Sequence, residues 1–308
     1  MTKGTVIKST GSWYYVKNET GDVIPSRIRG HYRIRGIRAT NPVAVGDTVH
    51  YDYTDDHTGM IRKIDERKNY IIRRATNLSR EYQLIAANID QALLMISLIH
   101  PVTHLAFIDR FLVSAEAFRI PVILVFNKLD LYREKEKEKL EELSGVYGDI
   151  GYRVMSLSLK MQQQTEGLRE VFSDKVTVVA GNSGVGKSTL LNYLDPSLQI
   201  KTRSISELHK SGQHTTTYAE MYFMENGARI IDTPGIKGYG MVDIDKEELF
   251  HFFPEIFRAS HQCRFHNCMH VNEPDCAVIR AVENGEISSS RYMNYLDLLD
   301  DMGDKYRK

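Results

Sequence analysis

Four short stretches of this sequence combine residue types and spacings that suit chemistry. Gly181-Asn182-Ser183-Gly184-Val185-Gly186-Lys187-Ser188, followed by Thr189, matches the pattern GxxxxGKS in full. Glycines at these places let backbone N–H groups wrap a chain of phosphates, and a helix opening at the lysine adds positive potential. Lys187 would reach the β- and γ-phosphates and Ser188 a Mg²⁺ ion. Asp232-Thr233-Pro234-Gly235 begins 45 residues beyond Lys187. A carboxylate at Asp232 suits Mg²⁺, directly or through water, and Gly235 can turn its N–H toward a γ-phosphate. The third stretch is Asn127-Lys128-Leu129-Asp130. Its aspartate can accept two hydrogen bonds, from N1–H and the 2-amino group of guanine, a pair that adenine does not present. Asn127 would brace the loop and the Lys128 stem would cover the ring. Paired buried hydrogen bonds of this kind discriminate by about 10⁴ to 10⁵. The last stretch, Cys263-x4-Cys268-x-His270-x5-Cys276, holds every cysteine of the chain within 14 positions. Three thiolates and one imidazole form a closed tetrahedral Zn²⁺ site of the structural kind, and His266 is a second histidine within reach.

Such groups work only if strands and helices hold them. Residues 92–99, 122–126, 153–156, 176–180 and 229–231 are short apolar runs, as expected of strands buried on both faces. Leu105, Ile108, Leu112 and Ala115 recur at helical spacing, with Thr103 as the cap. Residues 133–143 read as a charged, solvated helix and 187–194 as the helix that opens at the phosphate loop. Strands alternating with helices predict a doubly wound, mainly parallel α/β sheet, with each nucleotide motif at a strand's carboxyl end. Met155-Ser156-Leu157-Ser158 ends a further strand and would offer backbone contacts to the base. Ser156 is the candidate there, although Leu157 and Ser158 depart from the Ser-Ala-Lys usual in GTPases.

The flanks differ. Residues 5–8, 13–17, 23–28, 48–53 and 60–64 are β-branched and aromatic runs separated by Gly, Asn and Asp turns. Five short strands predict a small barrel, of the OB or the SH3-like kind. Residues 1–75 carry 14 Lys and Arg against 8 Asp and Glu, with Arg27, Arg29, Arg33, Arg35 and Arg38 close together. That excess suits nucleic acid. Residues 76–240 form the predicted α/β domain. Residues 241–308 hold 8 basic and 13 acidic residues, the Cys/His cluster and helical stretches near 246–253 and 290–302. Three cysteines in 308 residues point to a reducing, cytoplasmic setting rather than a disulfide framework. The longest apolar run is too short to cross a bilayer, and residues 1–15 lack a secretory signal pattern.

Motif order adds information. Ordinary GTPases run phosphate loop, switch threonine, DxxG, NKxD; here Asn127–Asp130 and the Ser156 loop come first. A circular permutation preserves the spatial arrangement and leads the chain from DxxG almost directly into residues 241–308.

A permuted G domain, an N-terminal barrel and a Cys/Cys/His/Cys module in this order resemble the ribosome small-subunit-dependent GTPase A (RsgA) family, over essentially the whole chain. The resemblance implies an OB-fold barrel, a GTPase converting GTP to GDP and phosphate late in small-subunit maturation, binding to ribosomal RNA, and hydrolysis stimulated by the subunit. It favours His270 over His266 as the fourth zinc ligand. It marks Gly212-Gln213-His214-Thr215-Thr216-Thr217 as switch I, with Thr216 the preferred sensor of Mg²⁺ and γ-phosphate. Ile236 stands where Ras-like enzymes place a water-orienting glutamine, so His214 becomes the catalytic candidate beside Lys187. No arginine finger is identifiable, so intrinsic turnover is expected to be slow until a partner orders the switches. The expected partners are the small subunit and its rRNA, with no membrane, and the chain is expected to be a monomer. The rival reading is a nucleotide-gated rRNA-binding module whose hydrolysis is incidental. A metal-transfer role fits poorly with a closed four-ligand set.

Overall fold

The structure, a computed structural model, describes residues 1–28, 39–74, 82–200, 218–233 and 244–303. Five strands, β1 (Thr2–Ser9), β2 (Tyr14–Asn18), β3 (Val23–Ile28), β5 (Thr48–Tyr53) and β6 (Gly59–Ile64), close a barrel in the order β1-β2-β3-β6-β5-β1. All its pairings are antiparallel except β3 with β6. The five predicted strands are all present. Alternation puts Val6, Tyr14, Val16, Val49, Tyr51 and Ile61 inside, where each is almost fully buried. This is an OB-like barrel. Strands β4 (Ala39–Asn41), β8 (Tyr82–Ala87) and β7 (Tyr70–Arg74) form a second, three-stranded sheet. β7 and β8, which lie on either side of the expected division at residue 75, pair antiparallel with each other.

Later in the chain, β9 (Gln91–Ile96), β10 (Val122–Phe126), β11 (Arg153–Ser156), β12 (Val176–Gly181), β13 (Glu220–Phe223) and β14 (Arg229–Asp232) extend the barrel's sheet in the order β11-β10-β9-β12-β14-β13. Only β13 runs antiparallel, and its other edge pairs with β1 through Lys8 and Glu220, which also form a 3.1 Å ion pair. The buried strands alternate between two cores. Leu94, Ile96, Leu124, Phe126 and Val178 face α1 (Leu105–Ala117) and α2 (Glu134–Ile150). Leu93, Met95, Ile123, Val125 and Val179 face α3 (Leu168–Phe172) and α4 (Lys187–Leu194). The sheet is thus covered on both sides, which explains why its strands read as continuous apolar runs. Helix α1 starts after His104, not with Thr103 as cap: the Thr103 hydroxyl accepts the Ser97 N–H instead. No helix among the described residues is long and apolar enough to cross a membrane.

The C-terminal part packs α5 (Pro254–Ser260), α6 (Ala277–Glu283) and α7 (Ser289–Gly303) with a 3₁₀ turn at Lys246–Phe252. Its core includes Leu249, Phe253, Val278, Tyr295 and Leu298, and takes in Val113 from α1. Arg291 closes the joint. It is 1% exposed and bonds Asp109 of α1 at 2.7 Å and Glu255 of α5 at 2.7 and 3.1 Å. Tyr147 of α2 donates to the same Asp109. Burial opposes the Arg291 charge, but Asp109 and Glu255 more than offset it and hold the guanidinium protonated. Arg291→Met removes the cation that offsets these two buried carboxylates. Unfolding free energy should fall by about 3–5 kcal/mol, measured by urea denaturation. A loss within experimental error of zero would show that the joint does not depend on this pair.

Candidate functional site

Parallel β9, β10, β11, β12 and β14 present their carboxyl ends at one edge of the sheet, and the loops that leave β9, β10, β11 and β12 gather there. The chain lays β10 and β11 on one side of β9 and then crosses to β12 on the other. Ligands bind at such a reversal of strand order. The phosphate loop occupies it. Gly181, Gly184 and Gly186 all have positive φ, at 142°, 81° and 117°. A Cβ at Gly181 would come within 2.6 Å of the Met95 carbonyl oxygen, and one at Gly186 would sit on the Asn127 amide nitrogen. Both positions therefore require glycine. Gly186 leads straight into α4, whose first residues are Lys187, Ser188 and Thr189. Asn182 is half-buried, Ser183 is exposed and Val185 anchors the loop in the core.

Lys187 Nζ donates to the carbonyls of Gly181 (2.7 Å) and Asn182 (3.1 Å), which folds its stem back over the loop. Burial lowers its pKa and the Asp232 carboxylate opposes that shift. Asp232 is nearly buried, and it pairs with Val179 two residues before the phosphate loop begins. Thr233, next in the chain, is fixed by its own hydroxyl, which donates to the Val179 carbonyl at 3.1 Å. The arrangement brings a cation, a carboxylate and a helix N-terminus together, as a phosphate–Mg²⁺ site requires.

The second loop extends β10. Asn127 is 3% exposed and is used at both ends of its side chain. Its Nδ2 donates to Val185 O (2.9 Å) and its Oδ1 accepts from Leu159 N–H (3.1 Å), tying three loops together. Lys128 has φ 74° and donates to the carbonyls of His100 (2.6 Å) and Gly184 (2.7 Å). Leu129 and Asp130 ride on a single 3₁₀ turn, Leu129–Leu131. The third loop holds a residue whose part the sequence did not reveal. Ser158, fully buried, donates to Asp130 Oδ1, whereas Ser156 points to Gln164 at 3.3 Å. The two serines look alike from residue type and spacing, so only the tertiary register tells them apart. His214, Thr216, Gly235 and Ile236 lie outside the described residues, as do Arg29, Arg33, Arg35 and Arg38. Arg27 is exposed, with its guanidinium 3.9 Å over the Trp13 ring.

The metal-type cluster is assembled in the C-terminal core. The ligand atoms of Cys263, Cys268, His270 and Cys276 all lie within 4.8 Å of one another. His270 Nδ1 is 3.6 Å from Cys263 Sγ and 3.5 Å from Cys276 Sγ, and these two sulfurs are 3.9 Å apart. A tetrahedron with Zn–S bonds of about 2.3 Å has edges of roughly 3.8 Å, so the spacing fits such an ion. His266 is exposed and outside the cluster. Burial lowers the His270 pKa, favouring the neutral imidazole that binds metals, and pushes the Cys268 thiol up to about 12. A bound cation would reverse the second effect by stabilising the thiolate. Glu273 accepts the N–H groups of Met269, Val271 and Asn272, and the hydroxyls of Tyr292 and Tyr295 hold the His270 and Met269 carbonyls. The four residues can hold a metal ion.

Taken together, the sheet order and the loop chemistry define a circularly permuted P-loop GTPase. Family comparison agrees: the model for the RsgA GTPase matches residues 64–242, and that for the RsgA N-terminal domain matches residues 3–61. The chain belongs to the RsgA family. A protein of Christiangramia forsetii named "Small ribosomal subunit biogenesis GTPase RsgA" is 48% identical over 99% of this chain and 98% of its own. A Bacteroides fragilis protein of the same name is 49% identical over 99% of both. The crystal structure of YjeQ from Thermotoga maritima superposes with a TM-score of 0.77 at 34% identity, covering 97% of this chain and 98% of that one. That of YloQ, a circularly permuted GTPase, gives 0.72 at 34% identity over 99% and 96%.

Proposed function

We propose that this GTPase binds the small ribosomal subunit and hydrolyses GTP to GDP and phosphate late in that subunit's maturation, with hydrolysis stimulated by the subunit. The observation that carries the reading is the convergence of the base loop, the phosphate loop and the Asp232 carboxylate at one sheet edge, in a chain that aligns over nearly its whole length with relatives named for small-subunit biogenesis. Asn127, Lys128, Leu129 and Asp130 would take guanine, helped by the loop at Ser158 and Leu159. Residues 181–189 would take the phosphates. Ser188, Thr216 and Asp232 would hold Mg²⁺, and Gly235 would meet the γ-phosphate. Cys263, Cys268, His270 and Cys276 would hold one structural Zn²⁺. The division at 1–75, 76–240 and 241–308 gives a barrel and a zinc module that grip rRNA on either side of the G domain, in a cytoplasmic monomer.

Phosphate release with and without purified small subunits tests the reading; an unchanged rate would sink subunit stimulation. His214 is the group that would orient the attacking water, because isoleucine comes directly after DTPG. His214→Ala should leave GTP affinity nearly intact and lower subunit-stimulated turnover by roughly 10². Unchanged stimulated turnover would return His214 to the status of a surface histidine.

A further inference from the structure

The guanine loop is held from behind by a residue outside the NKxD stretch. Tyr132 is 7% exposed and closes the turn on which Asp130 rides, its own N–H donating to Leu129 O at 3.0 Å. Its hydroxyl donates to Asn127 O (3.0 Å) and accepts from Leu98 N–H (3.0 Å). One oxygen therefore joins the loops after β9 and β10, just beyond the Asn127 N–H bond to Ile96 O (2.8 Å). Between Asn127, held by this hydroxyl, and Tyr132 itself stand Lys128, in the left-handed region, and Asp130. A non-glycine residue in that region is strained and persists only where its surroundings hold it. The Lys128 bonds to His100 and Gly184 hold it from the front; Tyr132 holds it from the back. Burial raises the Tyr132 pKa, so the hydroxyl keeps its proton and its donor role throughout the physiological range.

We infer that Tyr132 is a positioning residue for guanine selection: its hydroxyl fixes the Asn127–Asp130 turn so that Asp130 can accept two hydrogen bonds at once. The inference rests on the reading of Asp130 as the base reader. Its consequence is specific. A bidentate contact needs the carboxylate held in one orientation, whereas a single hydrogen bond tolerates rotation. Loosening the turn should therefore cost GTP more than ITP, which lacks the 2-amino group and offers Asp130 only N1–H.

Tyr132→Phe removes the oxygen and keeps the ring. GTP affinity should fall about tenfold, in line with losing buried hydrogen bonds, and the GTP-to-ITP affinity ratio should narrow. Turnover at saturating GTP should stay within about twofold, since the phosphate loop is untouched, so KM and kcat separate. Tyr147→Phe serves as the control: it also loses a buried hydroxyl contact, to Asp109, far from the base loop. It should lower stability while leaving the GTP-to-ITP ratio at the wild-type value. A wild-type ratio in Tyr132→Phe, or an equal narrowing in Tyr147→Phe, overturns the inference. Failure of Asp130→Asn to alter base preference would instead remove the reading beneath it, which is a separate result.

Discussion

Asp130→Asn should move the base preference of this GTPase from GTP to XTP. The carboxylate offers two acceptors; the amide offers one acceptor and one donor. Guanine presents two N–H groups to that side, so the new donor meets the 2-amino group. Xanthine carries a carbonyl there and accepts it. Ser158 holds one of the two positions by donating to Asp130 Oδ1, and the amide oxygen can keep that bond. The nitrogen is then left at the other position, facing the 2-substituent. A site that relies on paired buried hydrogen bonds discriminates by about 10⁴ or more against a ligand that leaves them unpaired, so the GTP-to-XTP affinity ratio should swing by that order. The phosphate loop and Lys187 belong to β12 and α4 and are unchanged, so the variant should hydrolyse XTP at close to the wild-type GTP rate. Competition binding with fluorescent GDP and XDP measures the first effect, and phosphate release the second. A variant that binds GTP as tightly as wild type would show that Asp130 does not read the base.

How much of this is visible in the sequence depends on the range over which each feature is determined. The phosphate loop is legible because local backbone conformation dictates its glycines: Gly181 and Gly186 sit at positive φ against neighbours that a side chain would hit. The strands β9, β10 and β12 are legible because burial on both faces leaves few polar positions. Strand β13 is not. Its four residues, EMYF, are an edge whose pairing with β14 and β1 comes from elsewhere in the chain. The residue pattern predicts the charged helix only to Leu143, yet α2 runs to Ile150 because Tyr147 is buried against Asp109. Arg291 reads as one more surface cation in an acidic segment. It is almost fully buried because Asp109, 182 residues earlier, lies opposite it. Likewise Ser156, the last residue of β11, and Ser158, two residues beyond it, look alike from residue type and spacing. Only the packing of the β11 loop against the turn after β10 selects Ser158.

Cys268→Ser should abolish metal binding and unfold the C-terminal core while leaving nucleotide binding largely in place. Cys268 and Cys276 are part of the hydrophobic cluster that also holds Leu249, Phe253, Val278 and Tyr295. The helices there are short: α5 and α6 have seven residues each, below the ~12–15 at which isolated helices become even marginal. Their stability must come from packing and from whatever joins the four ligands. A structural Zn²⁺ held by these four residues would contribute an apparent binding free energy of about 10–16 kcal/mol. A serine hydroxyl is a far poorer Zn²⁺ ligand than a thiolate, and the remaining two thiols and imidazole cannot close a tetrahedron. Metal content should drop from one Zn²⁺ per chain to none, with hydrogen exchange accelerating through 254–302. Binding of GDP should persist, because the base and phosphate loops are carried by the central sheet. Val113 of α1 would lose its cover, so overall stability should fall as well. If wild-type protein purified without chelators contains no zinc, the four residues are a buried thiol cluster. If the variant keeps its metal, Cys268 is not one of the ligands.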